Sequence, residues 1–227
     1  MTEDQAQPGP PAGPHPGARA PTAGRSPKAW GRLLVATTLA LAIDLGSKWL
    51  AFREVAGARV RIDRAEVIQA TSLDALIPVH EPVRVIPSLL EFTLVLNPGA
   101  VFGIGAGQRW FFVIFTVAAL IFALAIFARW TTPRDRLAHL ALALLIAGGL
   151  GNLYDRVLFA CVRDFIHPLP GMKLPFGIRW PSGAREVWPY VSNVADLFLL
   201  IGIGVLLVYS WRKPDESPEP ASTPSPD

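Results

Sequence analysis

The chain has 227 residues, of which 51% are hydrophobic and only 17% are charged, and its mean hydropathy is +0.36. A soluble domain usually carries about 25% charged residues, so this composition indicates an integral membrane protein. The net charge of +3, without a basic stripe interleaved with aromatic residues, excludes a nucleic-acid partner, and the single cysteine, Cys161, excludes an internal disulfide.

Both ends of the chain are poor in residues that build a packed core. Residues 1–29 are dominated by Pro, Gly and Ala, and residues 214–227 by Pro, Ser and acidic residues. Such segments cannot bury enough apolar surface to offset the entropy of ordering. We therefore predict two disordered tails around one membrane domain, residues 30–213.

Four long apolar segments lie between these tails. Each holds about 18–23 residues, which is enough to cross about 30 Å of hydrocarbon as a helix. A bilayer offers backbone groups no water to bond, and this favours helices. The segments are Leu33–Phe52, Trp110–Trp130, Leu137–Phe159 and Val194–Trp211.

The basic residues beside these segments predict an orientation, because positive charge marks the cytoplasmic flanks of membrane helices. They collect before the first helix, between the second and third, and after the fourth. They are Arg19, Arg25, Lys28, Arg32, Arg129, Arg134, Arg136, Arg212 and Lys213. Four crossings place these groups on one side. Both termini are therefore predicted to be cytoplasmic, and the connections 53–109 and 160–193 extracytoplasmic.

The first long connection contains a strand-like segment. Within residues 83–97, the run EFTLVLN alternates apolar with other residues, as in a strand that lies on an interface. The stretch 55–80 has the character of an insertion without a clear pattern. The predicted fold is a membrane all-α protein with four transmembrane helices and a small extracytoplasmic β-element over the helix ends.

Polar residues gather at one predicted depth. Under this orientation, they come late in the outward-running helices, early in the inward-running ones, or in the outer connections. They are Asp44, Ser47, Lys48, Asn97, Asn152, Asp155, Arg156, Asp164, Asn193 and Asp196. Ionisable residues are costly in a membrane and mark functional sites. Nothing comparable is expected at the inner face, so the pattern predicts a site in the outer third of the bilayer.

Several of these residues also have a structural explanation. Asp44 and Lys48 have the i, i+4 spacing of a helical ion pair. Asn193 and Asp196 have the spacing of a capping box at the start of the fourth helix. Arg156 could extend to the interface as easily as bind a ligand. The sequence leaves these explanations open beside a functional one.

Carboxylates are the chemistry that this cluster offers. No Ser–His–Asp set groups at this depth, His167 lacks the spaced partners of a metal site, and Cys161 lacks a base. Two close aspartates share one proton, so the ionised one can activate water while the protonated one polarises a carbonyl. Spacing leaves open which aspartates pair, and Asp164 could be a solvated loop acid. Topology favours Asp164 with Asp196, because they flank the same outer connection.

Five motifs, in order, resemble those of the lipoprotein signal peptidase (signal peptidase II) family. They are DLGSKWL (44–50), LNPGAVFGIG (96–105), GGLGNLYDRV (148–157), VRDFI (162–166) and SNVADLFLLIG (192–202). The resemblance covers about residues 33–211. It implies an aspartic peptidase of the bacterial inner membrane, which cuts the signal peptide from prolipoproteins just before their diacylglyceryl-modified cysteine.

The resemblance also implies roles for individual residues. Asp164 and Asp196 match the catalytic pair of the family. The residues that would surround the substrate backbone and the aspartates are Asn97, Asn152, Arg156 and Asn193, and those that would support the site are Asp44 and Lys48. The implied reaction uses no metal or other cofactor and forms no acyl-enzyme. The implied partners are a lipidated prolipoprotein and membrane lipid, and we expect a monomer.

The chain departs from the family pattern at several positions. Pro98 and Val101 stand in a motif that usually reads NTGAAF, and Ser192 stands where Phe is common. The stretches 55–80 and 167–190 are longer than usual. These differences concern the cover of the site and the substrate preference rather than the aspartates.

Two other functions fit part of the pattern. Intramembrane carboxylates also serve proton-coupled transporters and small channels. A proton relay needs polar steps across the whole bilayer, however, and the inner halves of the second and fourth helices have almost none. A non-catalytic scaffold would explain four helices but not the clustered acids. We therefore expect a peptidase.

Overall fold

The computed structural model describes residues 21–99 and 109–212. This part contains the helices α1 Pro27–Glu54, α2 Arg64–Gln69, α3 Arg109–Trp130, α4 Arg136–Phe159 and α5 Val194–Arg212. All except α2 are long and apolar enough to cross a membrane. The four predicted membrane helices are thus confirmed, while the predicted C-terminal tail and residues 1–20 lie outside the described residues.

The folded domain begins earlier than predicted. Residues 21–29 were expected in the disordered tail, and for this stretch the prediction is wrong. Ala23 is fully buried, and its N–H donates to Thr131 O at 2.8 Å. Helix α1 begins at Pro27 with Ser26 as its N-cap. Ser followed by Pro is a favourable helix start, which the Pro-rich composition of the tail obscured.

Helix α4 forms the centre of the bundle, with α1, α3 and α5 packed around it. Two glycines on α4 allow close approach. A Cβ at Gly151 would collide with the Asp44 carboxylate, and a Cβ at Gly148 with the carbonyl oxygen of Ala195. The outer faces of α1, α3 and α5 expose large apolar side chains, for example Leu39, Phe115 and Leu200. Such apolar surfaces suit a bilayer rather than water.

A three-stranded antiparallel sheet packs at the end of the bundle where α1 and α4 end. Its strands are β1 Val83–Ile86, β2 Leu90–Asn97 and β3 Val162–Pro168, in the order β1-β2-β3. Strand β2 confirms the prediction from EFTLVLN. Strand β3 is a difference, because local sequence assigns it to a connection. It forms by pairing with β2, where Val95 is in register with Asp164.

The insertion 55–80 is folded and packs on the sheet and α4. Asp63 caps α2 by accepting two backbone N–H groups, and Arg64 donates to Val157 O on α4. Its apolar side chains join one buried core with residues from α1 and the sheet. That core includes Phe52, Val60, Val67, Leu94 and Phe165.

A second, smaller polar cluster lies at the opposite end of the bundle. His139 is buried, with Nδ1 3.3 Å from Arg32 Nη2 and Nε2 3.1 Å from Thr131 Oγ1. The sequence predicted nothing comparable to the outer cluster at this end, and this smaller group forms because residues distant in sequence meet there. On the four long helices, the sequence between the two polar ends contains no Asp, Glu, Lys, Arg or His. The two clusters are thus separated by an apolar layer.

Candidate active site

Asp164 lies on β3 and is almost fully buried, with 1% of its surface exposed. Asn193 Nδ2 donates to its Oδ1 at 2.6 Å, and Asn97 Nδ2 donates to its Oδ2 at 3.0 Å. Burial, reinforced by the nearby charge of Asp196, raises the pKa of Asp164 to about 7, although the two amides oppose this rise. The carboxyl can therefore hold a proton near neutral pH.

Asn193 and Asp196 form the predicted capping box at the start of α5. Asp196 N donates to Asn193 Oδ1 at 3.2 Å, and Asn193 N donates to Asp196 Oδ2 at 3.1 Å. This reciprocal pair satisfies two of the backbone N–H groups left open at a helix start. The cap also fixes the direction of both side chains, so that the Asn193 amide nitrogen faces Asp164.

Asn152, on α4, connects the two aspartates through amide groups. Its Nδ2 donates to Asp196 Oδ1 at 2.8 Å, and its Oδ1 accepts from Asn193 Nδ2 at 3.1 Å. Contacts thus run without a break from Asp164 through Asn193 and Asn152 to Asp196, and we call these four residues the aspartate–asparagine network. Breaking one of these contacts would leave a buried polar group unpaired, which is costly.

A buried ion cluster lies behind this network. Lys48 Nζ is 3.0 Å from Asp44 Oδ2 and 3.5 Å from Asp155 Oδ2, and it donates to Asn152 Oδ1 at 3.0 Å. Arg163 also pairs with Asp155, at 2.8 Å. Two cations and two carboxylates offset each other, which makes their burial tolerable. The predicted ion pair of Asp44 with Lys48 is confirmed.

Asp44 also connects α1 to the start of α5. Its Oδ1 accepts from Ala195 N at 2.9 Å, which satisfies another N–H of the first turn. Ser47 is not part of the site: its Oγ donates to the Asp44 carbonyl at 2.8 Å, within its own helix. Every other predicted polar residue lies in the network, in the ion cluster or in direct contact with one of them.

An apolar cavity of about 800 Å³ opens beside Asp196, between α3, α4 and α5. Asn152, Arg156 and Asp196 form its polar end, and its apolar lining includes Phe112, Phe115, Leu142, Leu199 and Ile203. The Arg156 guanidinium lies 5.4 Å from the Phe112 ring centroid. Its Nε is buried without a hydrogen-bond partner among the described residues. A buried donor of this kind is available to a ligand.

Sequence reasoning missed Arg163, the partner of Asp155. Neighbouring residues on a strand point to opposite faces. Asp164 therefore faces the network, whereas Arg163 faces Asp155 and the ring of Phe159, 4.5 Å from its guanidinium. The signal was present in VRDFI, but it required knowing that this segment is a strand.

The remaining reactive side chains have structural partners. Cys161 is buried in the core, and burial raises the pKa of its thiol to about 12, so it stays protonated and inert. His167 Nδ1 lies 3.0 Å from Glu91 Oε1, and its Nε2 lies 3.6 Å from Glu186 Oε2. Within residues 21–99 and 109–212, no group of His, Cys, Asp and Glu could hold a metal ion.

The positions that depart from the expected motifs lie around the site. The Ser192 carbonyl accepts from the N–H groups of Phe165 and Ile166, at 2.9 and 2.8 Å, so its backbone extends the sheet next to β3. Gly99, after Pro98, has a φ of +101°, and its N–H donates to Asn97 Oδ1 at 2.9 Å. Val101 lies outside the described residues.

Comparison with known proteins places this site in a family context. The family model for signal peptidase (SPase) II matches residues 36–212. The chain is 37% identical to the lipoprotein signal peptidase of Desulfitobacterium hafniense over 131 residues. These aligned residues are 57% of this chain and 74% of the relative. It is also 37% identical to the lipoprotein signal peptidase of Syntrophotalea carbinolica over 136 residues, which are 59% of this chain and 75% of that relative.

Two solved structures share the fold. One is a bacterial membrane enzyme at 2.3 Å resolution, with a TM-score of 0.56 and 24% identity over 83% of this chain and 95% of the other. The second, at 1.9 Å resolution, has a TM-score of 0.57 and 25% identity over 81% and 95%. The four helices and the small sheet therefore form an arrangement already seen in a membrane enzyme.

Proposed function

Because the chain belongs to the signal peptidase II family, a family of aspartic peptidases, we propose that it removes signal peptides from diacylglyceryl-modified prolipoproteins, with Asp164 and Asp196 as its catalytic pair. One observation carries this proposal. Two acids from separate elements are joined by amide groups, and one of them, Asp196, lies at the polar end of an apolar cavity.

The environments of the two aspartates suit different roles in catalysis. Asp164 is buried, and its pKa of about 7 suits the carboxyl that holds the shared proton. Asp196 is half-buried beside the cavity and accepts from Asn152 Nδ2 and from Asn193 N. It lies in the first turn of α5, where the helix dipole favours negative charge. Asp196 is therefore assigned as the base.

Hydrolysis then proceeds by proton exchange with water. Asp196 takes a proton from a water molecule as the water oxygen attacks the carbonyl carbon, and Asp164 gives its proton to the carbonyl oxygen. A neutral tetrahedral diol results. Its collapse breaks the C–N bond, the leaving amine takes the proton from Asp196, and Asp164 regains one from a hydroxyl of the diol. The cycle uses no metal and no acyl-enzyme.

The cavity and Arg156 suit the two parts of the proposed substrate. The apolar lining between α3, α4 and α5 suits the acyl chains of a diacylglyceryl-modified cysteine. The unpaired Nε of Arg156 lies at the same polar end and can donate to a carbonyl of the substrate backbone. Lipid recognition and peptide recognition would therefore meet next to Asp196.

The proposed location is the bacterial inner membrane, with both termini cytoplasmic and the active site at the outer face. Basic residues support it, because Arg129, Arg134 and Arg136 flank the turn between α3 and α4, opposite the sheet. The apolar layer between the two polar ends argues against a proton relay across the bilayer. A monomer suffices for this reaction, because one chain supplies both aspartates.

Cleavage of a purified lipidated prolipoprotein in detergent tests the proposal. Asp164→Asn and Asp196→Asn should each lower the rate by about 10²–10⁴-fold, since each removes an acid–base group. Asp74→Asn, an exposed carboxylate in the same connection as Asn97, should retain the wild-type rate. Full activity in either catalytic variant would remove that aspartate from the mechanism.

A further inference from the structure

An arginine-rich pocket lies on the far side of β3 from the active site. It has a volume of about 390 Å³ and is formed by the end of α1, the first residues of the insertion and the end of α4. Four arginines and two exposed or half-buried rings dominate its lining: Arg53, Arg59, Arg61, Arg163, Trp49 and Phe159. Nothing in the proposed peptidase reaction uses this pocket.

Two of these arginines carry charge that no carboxylate in the described part of the chain offsets. Arg163 is paired with Asp155, and Arg53 pairs with Glu54 at 2.9 Å. Arg59 and Arg61 form no ion pair with any carboxylate of the described residues. Gathering like charges in one pocket is unfavourable without an anion to balance them.

The backbone fixes both of these arginines at the pocket. Val60, which lies between them, is buried, and its N–H donates to Phe52 O at the end of α1, at 2.8 Å. Because Val60 is held in place, the backbone of Arg59 and Arg61 stays next to the end of α1. Their position is therefore a feature of the folded insertion rather than of a loose loop.

The surroundings of the pocket are those of a membrane surface. Trp49 is half exposed, and the Arg53 guanidinium lies 5.1 Å from its ring centroid, a pairing typical of the headgroup region. On the same helix, Leu50 and Ile43 are exposed on the outer surface of the bundle. A molecule with a phosphate in the pocket could thus lay acyl chains along α1.

We propose that this pocket binds the phosphate of an anionic phospholipid headgroup and so attaches the insertion 55–80 to the bilayer. Arginine forks match phosphate oxygens bidentately, and the volume suits a headgroup. The two unpaired charges favour a lipid with net negative charge over a zwitterionic one. Outer flanks of membrane helices are normally poor in arginine. The flank that follows α1 is rich in arginine, and binding of an anionic lipid accounts for this difference.

Lipid binding to the purified full-length protein in detergent, followed by native mass spectrometry, tests the proposal. Phosphatidylglycerol is the anionic probe, and phosphatidylcholine the zwitterionic one. Each basic side chain at an anionic membrane surface is worth about fivefold in affinity. The double variant Arg59→Gln/Arg61→Gln should therefore bind phosphatidylglycerol about 30-fold more weakly, and phosphatidylcholine should bind the wild type at least about tenfold more weakly.

Arg84→Gln/Arg179→Gln is the matched control. It removes the same charge from two exposed arginines outside the pocket, and its affinity should stay within about twofold of wild type. An equal loss in both double variants would overturn the proposal, because general surface charge would then explain the binding. Unchanged affinity in Arg59→Gln/Arg61→Gln would overturn it as well.

A third arm separates the lipid from free phosphate. Inorganic phosphate, added without lipid, should fail to bind at the concentrations at which phosphatidylglycerol saturates the pocket. If it binds as tightly as the lipid, the assignment to a phospholipid is wrong. Arg59 and Arg61 are exposed, so the thermal unfolding midpoint of their variant should not fall below that of wild type. Since binding is read without cleavage, failure here is distinguishable from failure of the proposed peptidase function.

Discussion

Lys48 Nζ donates to Asn152 Oδ1 at 3.0 Å, and this contact determines which way the Asn152 amide points. An ammonium group has only donors, so the atom that it faces must be the amide oxygen. The amide nitrogen is then left to face Asp196, to which it donates at 2.8 Å. Lys48 thus acts on Asp196 through Asn152, from a different helix and without touching it.

Replacing Lys48 by Met should lower both stability and rate. The change leaves Asp44 buried without its cation, and removing one partner of a buried pair costs about 3–5 kcal/mol. It also frees the Asn152 amide to turn. We expect a lower unfolding midpoint in detergent together with slow cleavage of prolipoprotein.

The double variant Asp44→Asn/Lys48→Met separates these two effects. It removes both charges and keeps an oxygen that can accept from Ala195 N. Most of the lost stability should return, while the cleavage rate stays low because nothing orients Asn152. If the double variant regains the wild-type rate, Lys48 matters only for folding.

The burial of Asp164 predicts an unusual dependence of stability on pH. Its pKa rises from 3.8 to about 7 on folding, so the folded state binds more protons between these values. The contribution of Asp164 to stability is therefore fullest below about pH 4 and is lost as pH rises to about 7. Between pH 5 and pH 8 this group alone should remove roughly 2–3 kcal/mol.

Asp164→Asn should abolish this contribution, because it cannot ionise. The unfolding midpoints of wild type and variant should be compared at pH 5 and again at pH 8. Differences in hydrogen bonding that do not depend on pH are the same at both values, so they cancel in this comparison. The variant should gain relative to wild type at pH 8. Equal pH dependence in the two proteins would show that folding does not raise the pKa of Asp164.

Asn97→Ala should move the alkaline limb of the pH–rate profile. The proposed reaction needs protonated Asp164, so the rate should fall as pH rises through about 7. Asn97 donates to the carboxylate at 3.0 Å and so lowers the pKa of Asp164. Without this donor the pKa of Asp164 rises further, and the midpoint of the limb should move to higher pH.

Thr93→Ala, on the same strand but away from the site, is the control for this shift. Its profile should coincide with that of wild type, because Thr93 makes no side-chain hydrogen bond within the described residues. A limb that moves to lower pH in Asn97→Ala, or equally in both variants, would contradict the assignment of the proton to Asp164.

Local sequence patterns predicted what depends on local physics. The apolar segments specified the four long helices, and the three-residue spacing of Asn193 and Asp196 specified the cap of α5. Contacts between distant residues were not predictable in this way. Strand β3 requires β2, the partner of Asp155 lies on that strand, and Arg32 meets His139 across 107 residues.

Substitution of Gly151 tests whether the ion cluster needs the close approach of α1 to α4. A Cβ at this position would collide with the Asp44 carboxylate, which has no room to move because it holds both Lys48 and Ala195 N. Gly151→Ala should therefore destabilise the protein by about 1–3 kcal/mol, as overpacking does, and slow cleavage. Gly204→Ala is the matched control: it meets nothing within 4 Å on α5 and should raise the unfolding midpoint slightly, since Ala favours helix. If both substitutions behave alike, the space around Asp44 is not a constraint on the site.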